Sequence, residues 1–117
     1  MTKAVILMRK RPDLSAEDFR RYADENHLPL VSRLPGLQRL VVNYVLAEAQ
    51  GGDPVYDAIA EDWFETPEAM QAAFMSPEGQ AVVADTANFL DTAHLRVLVI
   101  EEVEVPVASG AGERLGS

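Results

Sequence analysis

Residues 4–8 read Ala4-Val5-Ile6-Leu7-Met8, an unbroken apolar run closed by Lys3 before it and by Arg9-Lys10-Arg11 after it. Five apolar residues in a row suit a strand covered on both faces, because successive side chains point to opposite sides of a sheet. Near the other end of the chain, residues 94–105 repeat the pattern. There Val97 and Val99 alternate with Leu98 and Ile100 before an acidic close at Glu101, Glu102 and Glu104. Two strands that are apolar on both faces need cover on both faces, and that requirement shapes the reading of everything between them.

After β-type residues 4–8, Arg11-Pro12-Asp13 marks a turn and Ser15 opens a helix, with Asp18 in capping-box spacing. Phe19, Tyr22, Ala23, Asn26 and Leu30 recur at helical spacing. Pro29 removes a backbone donor and disfavours helical geometry at Leu28, so a break or kink is expected near His27, with a short second piece running to Leu34. Pro35-Gly36 turns the chain into a strand over 37–47, where Leu40, Val42, Tyr44 and Leu46 share one face and Arg39, Val41, Asn43 and Val45 the other. A Gly-Gly-Asp-Pro loop at 51–54 leads to a third strand over 56–64. Thr66-Pro67-Glu68 and Ser76-Pro77-Glu78 each combine an N-cap, a proline at the first helical position and an acid, so two consecutive helices follow, the second ending near Thr92. The last strand is expected over 94–105.

The order β-α-β-β-α-β predicts an α+β fold of the ferredoxin-like kind: a four-stranded antiparallel sheet with its helices on one face. The second face would then be bare, and a soluble monomer rarely carries so large an apolar patch. A second copy packed sheet to sheet answers this, so a homodimer forming a dimeric α+β barrel is expected. The domain is expected to span 1–106, followed by a flexible Gly-, Ala- and Ser-rich tail over 107–117.

Composition narrows the chemistry. At 117 residues, 48% apolar and 25% charged, the chain matches one ordinary globular domain. It has no cysteine, which excludes thiolate chemistry, disulfides and Cys-ligated metals together and fits a cytoplasmic location. The run at 4–8 is too short for a signal-peptide core or a membrane span. Residues 1–44 carry eight basic and five acidic groups, whereas 45–117 carry two and fourteen, giving −9 overall. Such a chain repels phosphate backbones, so no nucleic-acid partner is expected.

Gly-x-Ser-x-Gly, P-loop and Gly-x-Gly-x-x-Gly motifs are all missing from the sequence. The two histidines, His27 and His94, lack metal-ligand spacing, so neither a metal nor a bound cofactor is expected. His27 stands where the helix meets Pro29, on the flank of the buried stripe, and an imidazole there is suited to general acid–base work. Its competing reading is a surface imidazole bonded to a nearby carbonyl. His94 reads as a strand-end residue near solvent. Tyr22, Asn43, Tyr44 and Trp63 are candidates to line a pocket, although aromatics in a core of this size need no functional reason. Among Asp57, Glu61 and Asp62, one carboxylate is expected to face a cavity or interface; for any one of them, an exposed charge on an edge strand is the simpler reading.

Residues 19–37, FRRYADENHLPLVSRLPGL, carry an aromatic helix, then His-x-Pro-Leu, then Leu-Pro-Gly-Leu entering a strand. This pattern resembles the EthD family. Residues 56–64, YDAIAEDWF, followed by Pro67-Glu68-Ala69, look like that family's third strand and next helix start, so the resemblance spans about 3–105. It implies a dimeric α+β barrel with a pocket between sheet and helices, and it makes His27 the counterpart of the family's recurrent histidine. Architectural relatives include muconolactone-type isomerases, polyketide cyclases, dehydratases or decarboxylases, cofactor-free monooxygenases and haem-handling proteins. Lactone-isomerising relatives add a second histidine between strands two and three, and residues 50–54 contain none. The expected function is a cofactor-independent enzyme acting on a small aromatic or lactone-like metabolite. The alternative is a non-catalytic ligand-binding or accessory dimer. A pocket that gives His27 a titratable partner favours the enzyme, and a wholly apolar one favours the binder.

Overall fold

A computed structural model describes residues 1–108. Four strands, β1 (Thr2–Met8), β2 (Arg39–Tyr44), β3 (Ala58–Phe64) and β4 (Arg96–Glu101), form one antiparallel sheet in the order β2-β3-β1-β4. With helices α1 (Ala16–Tyr22), α2 (Leu28–Val31), α3 (Pro67–Met75) and α4 (Pro77–Asp85), this is the ferredoxin-like α+β fold. The tail expected from residue 107 lies, from 109 onward, outside the described residues.

The helix starts follow their caps. Ser15, Thr66 and Ser76 each accept a hydrogen bond from the backbone N–H three residues on, which satisfies one of the free donors of a first turn. The α-helix is interrupted just ahead of Pro29, at the expected place, but the chain stays helical through it. Between α1 and α2 the chain widens into a π-helical turn, Ala23–His27, with the Leu28 N–H donating to the Ala23 carbonyl five residues back. Widening accommodates a proline that lacks an N–H and crowds the preceding turn.

β1 begins two residues earlier than the apolar run, whereas β2, β3 and β4 are shorter than the sequence pattern suggests, because pairing with a neighbour limits their length. β4 stops at Glu101 since β1 offers only the Met1 carbonyl beyond Thr2, taken by the Glu102 N–H at 3.1 Å. The α-helical part of α4 stops at Asp85, short of Thr92, and passes through a 3₁₀ turn over Thr86–Asn88. The chain must leave the helix there, because Leu90 bridges Lys10 and the Asp91 N–H donates to the Arg9 carbonyl at 2.8 Å.

Cross-strand register sorts the sheet into two faces. Ala4, Ile6 and Met8 align with Ala58, Ala60, Asp62, Leu40, Val42, Val97 and Val99, and face the helices. Val5 and Leu7 align with Ile59, Glu61, Val41, Leu98 and Arg96 on the opposite face, which none of the described helices covers. Leu98 on that face is 44% exposed.

Gly79 fixes how α3 meets α4. It is buried, and a Cβ built there would collide with the backbone carbonyl oxygens of Ala73 and Phe74. Backbone cannot swing away as a side chain can, so Gly79→Ala is expected to cost about 2–3 kcal/mol of stability. Urea denaturation measures this, and an unchanged midpoint would contradict it.

Candidate active site

The face of the sheet that looks toward the helices does not pack flush against them. Between them lies a cavity of about 630 Å³, floored by Ile6, Ala60 and Asp62 and walled by residues such as Met70, Val82 and Leu28. Among the described residues, four lining side chains are polar: His27, Asp62, Gln71 and Thr86.

The π-helical turn delivers His27 to this wall, where the residue is 6% exposed and its ring centroid lies 4.7 Å from that of Phe89. Its Nδ1 is 2.9 Å from Oδ2 of Asp85, the last residue of α4. The other oxygen of Asp85 accepts from the Tyr22 hydroxyl at 2.6 Å and from Asn88 Nδ2 at 3.0 Å. Burial works against charge on Asp85, but these donors outweigh it and hold the carboxyl below its ordinary range. Burial also lowers the His27 pKa below its ordinary 6.5, with Asp85 opposing. At neutral pH the pair is therefore a neutral imidazole beside a carboxylate. A carboxylate can only accept, so Nδ1 carries the hydrogen and donates it, and Nε2 keeps its lone pair. A ring held in one tautomer by a buried carboxylate is suited to act as a general base.

Asp62 is the second ionisable group of the cavity. It sits on β3 at 2% exposure, and its Oδ1 finds no hydrogen-bond partner among the described residues. The edge-strand reading of this carboxylate is overturned: β3 lies between β2 and β1, and Asp62 aligns with Leu40 and Ala4 on its two neighbours. Desolvation raises its pKa to about 7. The native carboxyl therefore holds its proton up to about pH 7, while the unfolded one releases it near 3.8. The native state binds more protons over that window, so the stability owed to Asp62 falls as pH rises from about 4 to about 7. Asp62→Leu is expected to gain on the order of 4 kcal/mol over wild type between those limits. Paired urea titrations at pH 4 and pH 8 check this, and an advantage independent of pH would contradict it.

The other expected pocket residues are placed apart. Tyr22 joins the site only through Asp85. Tyr44 lines a separate cavity of about 440 Å³ with Phe19, Arg20 and Asp57, and its ring lies beneath the Arg20 guanidinium at 3.9 Å. Asn43 and Trp63 lie on the uncovered face. There Asn43 donates to Glu61 at 2.8 Å, Glu61 pairs with Lys3 at 2.8 Å, and Trp63 Nε1 donates to Glu102 at 2.7 Å. His94 is in a turn before β4, with Nδ1 2.9 Å from Asp91. Among the described residues, no group of three or more His, Asp or Glu side chains is placed to hold a metal ion. None of the described helices is long and apolar enough to cross a membrane.

Residues 11–93 match the EthD domain. An uncharacterised 11.0 kDa protein from the thcB–thcC intergenic region of Rhodococcus erythropolis is 32% identical over 88 residues, covering 75% of this chain and 84% of that one. The chain belongs to the EthD family. Among solved structures, an EthD family protein from Bacillus halodurans superposes with a TM-score of 0.77 at 23% identity, covering 88% of this chain and all of that one. SnoaB, a cofactor-independent oxygenase from Streptomyces nogalater, superposes at 0.62 with 12% identity, over 89% of this chain and 94% of its own. Within this EthD chain, the acid that partners the histidine escaped the sequence reading. Asp85 did leave a trace: an acid in the last turn of a helix opposes the macrodipole, so its presence there calls for another reason.

Proposed function

We propose that this EthD-family chain is a cofactor-independent enzyme of proton-transfer type, of the isomerase, cyclase, dehydratase or monooxygenase kind. Its substrate is a small, largely apolar metabolite, aromatic or lactone-like. The observation that carries this reading is the Asp85–His27 hydrogen bond at the wall of a largely apolar cavity. A binding protein needs shape and a few polar contacts, whereas a buried imidazole held in one tautomer by an ionised carboxylate is the arrangement that moves protons. The same fold in SnoaB hosts oxygenase chemistry without a cofactor, which supports a cofactor-free reading here. Proton abstraction by His27 from a carbon acid in the cavity requires no cofactor.

The working unit in this reading is a cytoplasmic homodimer, two copies packed through the uncovered faces that carry Val5, Leu7, Val41, Ile59 and Leu98. Burying these side chains against a copy of themselves removes apolar surface from water at about 25 cal/mol per Å². The pocket lies on the other face and stays open to substrate.

The test is turnover across a panel of aromatic ketones, phenols and lactones by wild type and His27→Ala. A substrate converted equally fast by both proteins would remove the assignment.

A further inference from the structure

Asp62 has no structural employment. The positions that share its strand face, Ala58, Ala60 and Phe64, are apolar and buried. Its partners across the sheet, Leu40 and Ala4, are apolar too. A leucine there would complete the pattern, and a buried carboxyl with an unpartnered oxygen lowers stability. Native structures tolerate such a group where something outside the chain completes it. Asp62 lines the same cavity as His27, and among the described residues His27 is the only other ionisable side chain in that lining. Gln71 and Thr86 complete its polar inventory, and the Thr86 hydroxyl already donates to the Val83 carbonyl at 2.7 Å.

We propose that Asp62 is the group that binds and protonates the substrate oxygen, and that the cavity takes a neutral, mostly apolar ketone or its enol. This rests on the reading of His27 as a proton-transferring base and names the substrate class for it. Asp62 meets the carbonyl oxygen as a protonated carboxyl. His27 Nε2 takes a proton from the carbon beside that carbonyl. The C–H pair becomes the new C=C bond, and the carbonyl π pair moves to oxygen, which takes the Asp62 proton. The products are the enol, an imidazolium held by Asp85, and an Asp62 carboxylate. Returning the proton to a different carbon, and the enol proton to Asp62, restores both residues and completes an isomerisation or begins a ring closure. No electrons leave the system and no co-reactant is needed. A carboxyl held neutral in an apolar site is known to serve this role toward a developing enolate.

Matched probes test the proposal without knowledge of the natural substrate. Isothermal titration compares 2-acetylnaphthalene with 2-ethylnaphthalene, which has the same shape but no acceptor, at pH 6 and pH 8.5. Wild type is expected to prefer the ketone by roughly tenfold at pH 6, the scale of one hydrogen bond, and to lose much of that preference at pH 8.5 as Asp62 ionises. Asp62→Leu abolishes the preference. Asp62→Asn keeps it at both pH values, because an amide donates regardless of pH, and this variant decides the matter if the leucine variant does not fold. Equal binding of both probes to wild type, or a preference that survives in Asp62→Leu, overturns the role of Asp62 and leaves the reading of His27 standing. Tighter binding of 2-(aminomethyl)naphthalene than of the ketone overturns the neutral-carbonyl class. Failure of all three to bind overturns this proposal and the small-molecule reading of the cavity together.

Discussion

His27→Gln is expected to slow turnover by roughly 10²- to 10⁴-fold, the usual contribution of a positioned general base. The loss should appear in kcat with little change in KM, because glutamine nearly fills the imidazole's space and can still bond Asp85 but offers no basic nitrogen. Asp85→Asn should be damaging as well, since an amide can donate to Nδ1 and release the ring into the tautomer that carries hydrogen on Nε2. The sign of the pH dependence follows from burial. His27 must be neutral to accept a proton, and its pKa lies below 6.5. The acid limb of kcat/KM should therefore fall below pH 6.5. An acid limb centred above 6.5 would mean that Asp85 stabilises the imidazolium more than burial disfavours it.

Val5→Glu is expected to convert the dimer to a monomer. Val5 lies mid-strand on the uncovered face, aligned with Leu98 on β4 and with Glu61 on β3. A glutamate there puts a second acid opposite Glu61 and forces an unpaired charge into the interface, which costs several kcal/mol in each copy. Light scattering at micromolar concentration should give about twice 12.8 kDa for wild type and about 12.8 kDa for the variant. The helix side of the sheet is untouched, so circular dichroism should show the fold retained. A wild-type monomer under these conditions would contradict the sheet-to-sheet assembly.

Much of the fold was legible because it is written locally. Caps at Ser15, Thr66 and Ser76 and the alternation along 39–44 are properties of neighbouring residues, and they place elements without knowledge of the rest. The site is written non-locally. His27 and Asp85 stand 58 residues apart, and only the packing of α4 against the first helical region brings them together. Strand order was hidden in the same way: the acids of residues 56–64 suggested an edge, yet β3 pairs on both sides. One limit was readable earlier. Asn43 and Tyr44 are adjacent in β2 and point to opposite faces, so strand alternation alone forbids both from lining one cavity.

The most direct measurement is ¹⁵N NMR of the imidazole of His27 in the free protein, titrated from pH 4.5 to 8. It requires no substrate and reads the state on which the mechanism depends. The expected result is a neutral ring at pH 7 with hydrogen on Nδ1, titrating below 6.5, and losing its Nδ1–H preference in Asp85→Asn. An imidazolium at pH 7, or hydrogen on Nε2 in the wild type, would contradict a His27 base positioned by Asp85.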